Sequence, residues 1–101
     1  MRVLFLNARN MLIRDELMAQ GTLDEVPLWP REVLRRGLEL NAAGVILVHN
    51  HPSGDHAPSG SDARMTLRFA EVAKELGIIL HDHFIFSPAG HASMRALGLL
   101  D

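Results

Sequence analysis

Residues 49–62 read His49-Asn50-His51-Pro52-Ser53-Gly54-Asp55-His56-Ala57-Pro58-Ser59-Gly60-Ser61-Asp62. Just ahead of them lies Gly44-Val45-Ile46-Leu47-Val48, a short continuous apolar run rich in β-branched residues, which predicts a buried strand. Side chains alternate along a strand, so His49 and His51 point the same way at its end. Pro52 removes a ladder donor and stops the strand. The loop that follows turns the chain into a helix starting near Ser59, and Asp62 falls in that helix's first turn. Strand end, loop and helix start therefore put two imidazoles and a carboxylate on one side. These are ligands that zinc takes in hydrolytic sites, where three protein ligands leave a fourth position open for water. The stretch is a candidate catalytic metal site of a small hydrolase. A second reading stays open beside it: Ser59-x-x-Asp62 resembles a helix capping box, and a His-x-His pair also suits an ordinary polar strand end.

Outward from this stretch, the pattern predicts alternating strands and helices. Val3 to Leu6 reads as a first strand and Met11 to Gln20 as a second, joined as a hairpin through Asn7-Ala8-Arg9-Asn10. Gly21 to Trp29 reads as a connecting loop. Pro30 suits the first turn of a helix, which carries an apolar stripe of Val33, Leu34 and Leu38. The helix from about Ser59 runs to Leu76, with Gly77 as its C′ residue. Ile78 to Phe86 is the next strand, Ser87-Pro88-Ala89-Gly90 a turn, His91-Ala92-Ser93 a return, and Met94 to Asp101 a short helix or tail. The order β-β-α-β-α-β-β implies an α/β fold, a mixed β-sheet with packed helices.

Length and composition bound the rest. A chain of 101 residues makes one domain with one modest core. Hydrophobic residues at 48% and charged residues at 22% are ordinary for a globular protein. Cysteine is absent, which suits a reducing cytoplasm and excludes the His/Cys/Cys zinc set of nucleobase deaminases. No apolar stretch approaches a membrane span, and Asn7, Arg9 and Asn10 interrupt the N-terminal run too early for a signal peptide. The formal net charge of −2 gives no basic field to attract nucleic acid. Arg31, Arg35 and Arg36, and separately Arg64 with Arg68, are read as solvated helix faces. With five aromatic residues, stacking platforms for bases are scarce. Cytoplasmic location, no membrane and no strong nucleic-acid binding by this domain alone are the expectations.

His49-Asn50-His51-Pro52, six residues, then Ser59-x-x-Asp62 resembles the JAMM motif of the JAB1/MPN metalloproteases. The form His-Asn-His-Pro-Ser-Gly-Asp is similar to that of the RadC family of bacterial proteins, often labelled DNA repair proteins. Gln20-Gly21-Thr22-Leu23, Pro30-Arg31-Glu32-Val33, Asn41-Ala42-Ala43 and Leu80-His81-Asp82-His83 fall where other recurring segments of that family fall, so the resemblance covers essentially all of residues 1–101. It implies a single MPN domain of the JAB1/MPN fold, related to the cytidine-deaminase-like fold. It also implies one zinc ion per chain on His49, His51 and Asp62.

In such a hydrolase a general base stands beside the metal. The resemblance puts it on Glu16, with Glu25 and Glu32 as fallbacks, against the plainer reading of a solvated strand glutamate. It makes Ser59 a hydrogen-bond donor near the oxyanion, alongside its capping role. His81 and His83 form a second His-x-His on one strand face, without an obvious third ligand. His83 or Asp82 is read instead as a buried strand residue or a partner that orients a ligand. Asp55 competes with Asp62 as a ligand by proximity in sequence, and the family register favours Asp62. His56 is expected to face water, and His91 carries no specific signal. The leading expectation is a zinc metallopeptidase or metallohydrolase, peptidase or isopeptidase-like, with an unidentified peptide or protein substrate. The alternatives are a non-catalytic accessory module in DNA repair or recombination, or a metal-dependent nuclease. In that family a helix-hairpin-helix segment commonly precedes this domain, and the notable expectation is that the chain is a fragment or a short member without it.

Overall fold

The decisive strand carries its apolar residues in alternation. In the computed structural model β5 (Gly44–Asn50) buries Val45 and Leu47 fully, while Ile46 and Val48, alternating with them, are half-buried. The continuous apolar run is therefore not sealed on both faces, as its composition suggests, but on one. The structure describes residues 1–18, 21–24, 26–51 and 54–100. Gln20, Glu25, Pro52, Ser53 and Asp101, with the expectations placed on them, lie outside the described residues.

The strands before it are β1 (Arg2–Leu6), β2 (Leu12–Leu17) and a two-residue pair, β3 (Thr22–Leu23) and β4 (Val26–Pro27). This small hairpin occupies the stretch expected to be only a connecting loop. Helix α1 (Trp29–Glu39) follows, with Pro30 in its first turn, where its missing N–H costs nothing. Asn41 ends the helix at a positive φ of 55°, a conformation that asparagine tolerates better than most residues. After β5 come α2 (Gly60–Glu75), β6 (Ile79–Ser87) and β7 (Gly90–Ser93). Residues 94–100 form turns and contribute Met94 and Leu100 to the core.

The main sheet runs β2-β1-β5-β6-β7. Only the β5–β6 pair is parallel among these neighbours, as a strand-helix-strand crossover through α2 requires. Val3, Phe5, Val45, Leu47, His83 and Ile85 are buried, and they share one face by the strand register. Helix α1 lies against this face: a Cβ added to Gly37 would sit 3.1 Å from Ile78 and 3.8 Å from Phe5. Trp29 of α1 meets Phe69 of α2 with ring centroids 5.3 Å apart. The architecture is the expected α/β fold, a mixed sheet with helices packed on it.

One irregularity corrects the sequence reading. Val45 pairs with Leu80 but Ile46 pairs with Asp82, so β6 carries an extra residue, His81. Such a bulge flips the alternation for one step. His81 and His83 consequently leave the strand on opposite faces instead of sharing one. His83 joins the core, whereas His81 packs over Gly44, with its Nε2 2.5 Å from where a glycine Cβ would stand.

Candidate metal centre

β5 ends at Asn50, and it carries His49 and His51 to the C-terminal edge of the parallel pair. Their ring centroids are 5.0 Å apart, at an interplanar angle of 71°. A tetrahedral zinc with Zn–N bonds of about 2.0–2.1 Å separates its imidazole centroids by about 5 Å. His51 is held by its backbone N–H, which donates to Phe86 O at 2.7 Å, and by its ring. His51 Nδ1 lies 3.2 Å from the carbonyl oxygen of Asp55. A carbonyl only accepts, so Nδ1 carries the proton and Nε2 presents its lone pair. That is the arrangement by which a backbone carbonyl sets the tautomer of a metal-binding histidine. Half-burial pushes the His49 pKa down, His51 adds to this, and the Asp62 charge opposes it. His49 therefore favours the neutral form that a ligand needs.

Asp62 stands at the start of α2, where both halves of the capping box form. Its N–H donates to Ser59 Oγ at 3.0 Å, and Ser59 N–H donates to Asp62 Oδ2 at 3.3 Å. The plain reading of these two residues is therefore realised in full. Among the described residues no three His, Asp or Glu side chains converge closely enough to form a ready-made ion cage. The structure brings His49 and His51 together and holds Asp62 nearby on the helix cap, where its charge bears on both His49 and His83. By chemistry the donor types are those zinc takes: two imidazoles at ligand spacing, one with its tautomer set, and a carboxylate whose charge acts on His49.

From Gly54 onward the motif loop is tied down. His56 does not simply face water: its Nδ1 lies 3.1 Å from Ser87 Oγ, and Ser87 Oγ donates to Gly54 O at 3.1 Å. His56 also packs on Gly90. Asp55 turns its carboxylate back to accept from Ala57 N–H at 2.9 Å, so its role here is to shape the loop and to orient His51 with its carbonyl. A groove of about 460 Å³ beside this loop is lined by His56, Ala57, Pro58, Ala92 and Leu97, among others. His91 lies against Phe86 with stacked rings 5.4 Å apart.

Glu16 sits on β2 opposite Val3, which in turn faces Leu47. It thus shares the helix-covered face with His49. It lies two strands away, about 9–10 Å sideways, and one step down the alternation. There Arg36 of α1 grips it: Nε donates to both carboxylate oxygens at 2.8 and 3.0 Å, and Nη2 donates at 2.8 Å. This holds the Glu16 carboxyl below its usual range. Glu32 is paired with Arg35. The arginines expected as solvated faces are thus in part engaged, with Arg35 also bridging Glu39.

Asp82 accepts from the backbone N–H of His83 at 2.7 Å and of Arg95 at 3.1 Å, and Ser93 Oγ donates to its other oxygen. It organises the C-terminal turns. His83 is 2% exposed, lies 3.0 Å from Thr66 Oγ1 through Nδ1, and stacks on His49 at 5.9 Å and 22°. Thr66 gave no signal in the sequence, because nothing local marks a helix threonine as the partner of a histidine on the next strand.

No helix is long and apolar enough to cross a membrane, among the described residues. The family model for RadC-like JAB domains matches residues 1–99. A protein of Rhodobacter capsulatus named UPF0758 protein is 54% identical over 99 residues, which is 98% of this chain and 46% of that protein. The chain spans about half the length of this curated relative. With the family match running nearly end to end and a relative 54% identical across it, the chain belongs to the RadC family of JAB domains.

Proposed function

We propose that this domain is a zinc-dependent hydrolase of amide bonds in a peptide or isopeptide, with one ion held by His49, His51 and Asp62. The observation that carries the reading is the His49–His51 pair at 5.0 Å, with the His51 tautomer set by Asp55 O. When bound, zinc polarises a scissile carbonyl and lowers the pKa of water. Ser59, at the mouth of α2, offers a hydroxyl next to a helix N-terminus that favours developing negative charge. Glu16 is the candidate base, on the same sheet face. To move a proton it must leave Arg36, whose grip keeps it ionised but weakly basic. The apolar groove beside the loop offers room for a substrate side chain.

That grip also favours a second reading, a metal-binding accessory module of DNA repair without turnover. A mononuclear site on a chain of net charge −2 makes a metal-dependent nuclease the weakest of the three. Elemental analysis and cleavage assays on peptide and isopeptide substrates decide. Near-equimolar zinc, lost in the His49→Ala, His51→Ala, Asp62→Ala triple variant, supports the centre; equal zinc in that variant overturns it. Glu16→Gln should keep zinc and lower turnover by about 10²–10⁴-fold. Zinc without any cleavage in the wild type leaves the accessory module.

A further inference from the structure

His83 carries an anomaly that core packing does not explain. Its Nε2 is buried without a hydrogen-bond partner among the described residues, in a residue 2% exposed. An unpaired buried polar atom of this kind is destabilising, and an apolar ring of the same shape avoids that cost. The other ring nitrogen is satisfied by Thr66, which follows Asp62 by four residues and so shares its face of α2. The ring itself backs His49 in a near-parallel stack, and Trp29 closes its edge at 6.1 Å. The bulge at His81 is what turns His83 inward to this place. Two ligands of one tetrahedral zinc stand about 5 Å apart by centroid; His83 is 5.9 Å from His49 and nearly parallel to it. That places it behind His49, not beside it as a further ligand.

We propose that His83, held by Thr66, is a positioning residue of the metal centre: its ring fixes the plane of His49, and its Nε2 is reserved as the hydrogen-bond partner of Asp62 when that carboxylate serves as a ligand. The inference rests on the zinc reading above. Partners that orient metal ligands are worth about 10–100-fold in metal affinity.

The test is zinc affinity by competition with a chromophoric chelator, on the whole chain, for wild type, His83→Phe and His83→Gln. Phenylalanine keeps a flat ring against His49 and removes both nitrogens. It should leave the metal-free protein as stable or more stable, yet weaken zinc binding about 10–100-fold. Glutamine restores an N–H donor near the Nε2 position, so it should bind zinc more tightly than His83→Phe while folding less stably. A purely structural histidine gives the reverse: affinity equal to wild type with phenylalanine and no gain from glutamine. Should His83→Phe fail to fold, ¹⁵N spectra of wild-type histidine side chains during zinc titration report directly. The His83 Nε2 resonance should shift together with those of His49 and His51. A stationary His83 signal while the other two move overturns the proposal and leaves the zinc centre standing. No zinc binding by the wild type removes both.

Discussion

At the scale of single residues, the proposed zinc reading gives Ser59 and Asp62 a second demand beside capping. The capping box satisfies backbone N–H groups that the start of α2 leaves without intrahelical partners. Zinc ligation asks Asp62 to turn a carboxylate oxygen toward His49. The two demands separate by mutation. Ser59→Ala removes the acceptor for Asp62 N–H and should cost about 1 kcal/mol of stability in the metal-free protein. Asp62→Asn keeps an acceptor for Ser59 N–H, so it should cost less stability than Ser59→Ala while weakening zinc binding more. Urea melts and zinc titrations should therefore rank the two variants in opposite orders. Identical zinc affinity in both would leave capping as the whole role of the pair.

Among elements, two junctions hold the site's strands in place. At the first, β5 and β6 come close enough at Gly44 that His81 occupies the space a side chain would need. Gly44→Ala should destabilise by about 1–3 kcal/mol through overpacking. In a Gly44→Ala, His81→Ala double variant the clash is gone, so the loss should be smaller than the sum of the single changes. Denaturant melts of the four proteins check this. At the second, Arg36 ties edge strand β2 to α1 through Glu16. Hydrogen bonding to Arg36 lowers the Glu16 pKa below its ordinary value of 4.5. A group depressed in the folded state stabilises above its unfolded pKa, and the contribution disappears as pH falls through the folded one. Glu16→Gln should therefore melt lower than wild type at neutral pH. The gap should close in the acid range below 4.5. A gap that stays constant into strong acid would show that the carboxylate charge is not what joins the two elements.

For the whole molecule, part of the positive charge is paired and the total is slightly negative. Arg2, Arg35 and Arg36 each lie against carboxylates, and the net charge is −2. Binding of this domain to duplex DNA should therefore be weak and only mildly salt-dependent. Each neutralised phosphate contributes about −0.9 to the slope of log affinity against log salt, so a slope shallower than about −3 is expected. Fluorescence anisotropy at several salt concentrations measures it. Submicromolar binding near physiological salt with a steep slope would favour the DNA-accessory reading over peptide hydrolysis.

Local chemistry was legible because it is written in neighbouring residues. Pro30, Ser59, Asp62 and Gly77 mark helix ends by bonds and backbone angles that span a turn or less. Likewise, the apolar run ahead of His49 announces its strand, and His-x-His at its end announces a shared direction. The element order and the α/β class followed from these signals. What the chain alone left open depends on contacts between residues far apart in it. The half-buried state of Ile46 and Val48 reflects helices that cover just one face of the sheet. The split between His81 and His83 reflects a bulge, which exists only once β6 is paired with β5. The grip of Arg36 on Glu16 joins residues 20 apart, and the Thr66–His83 bond joins residues 17 apart. Neither pair has any local periodicity to betray it, because each is made by the packing of a helix on the sheet.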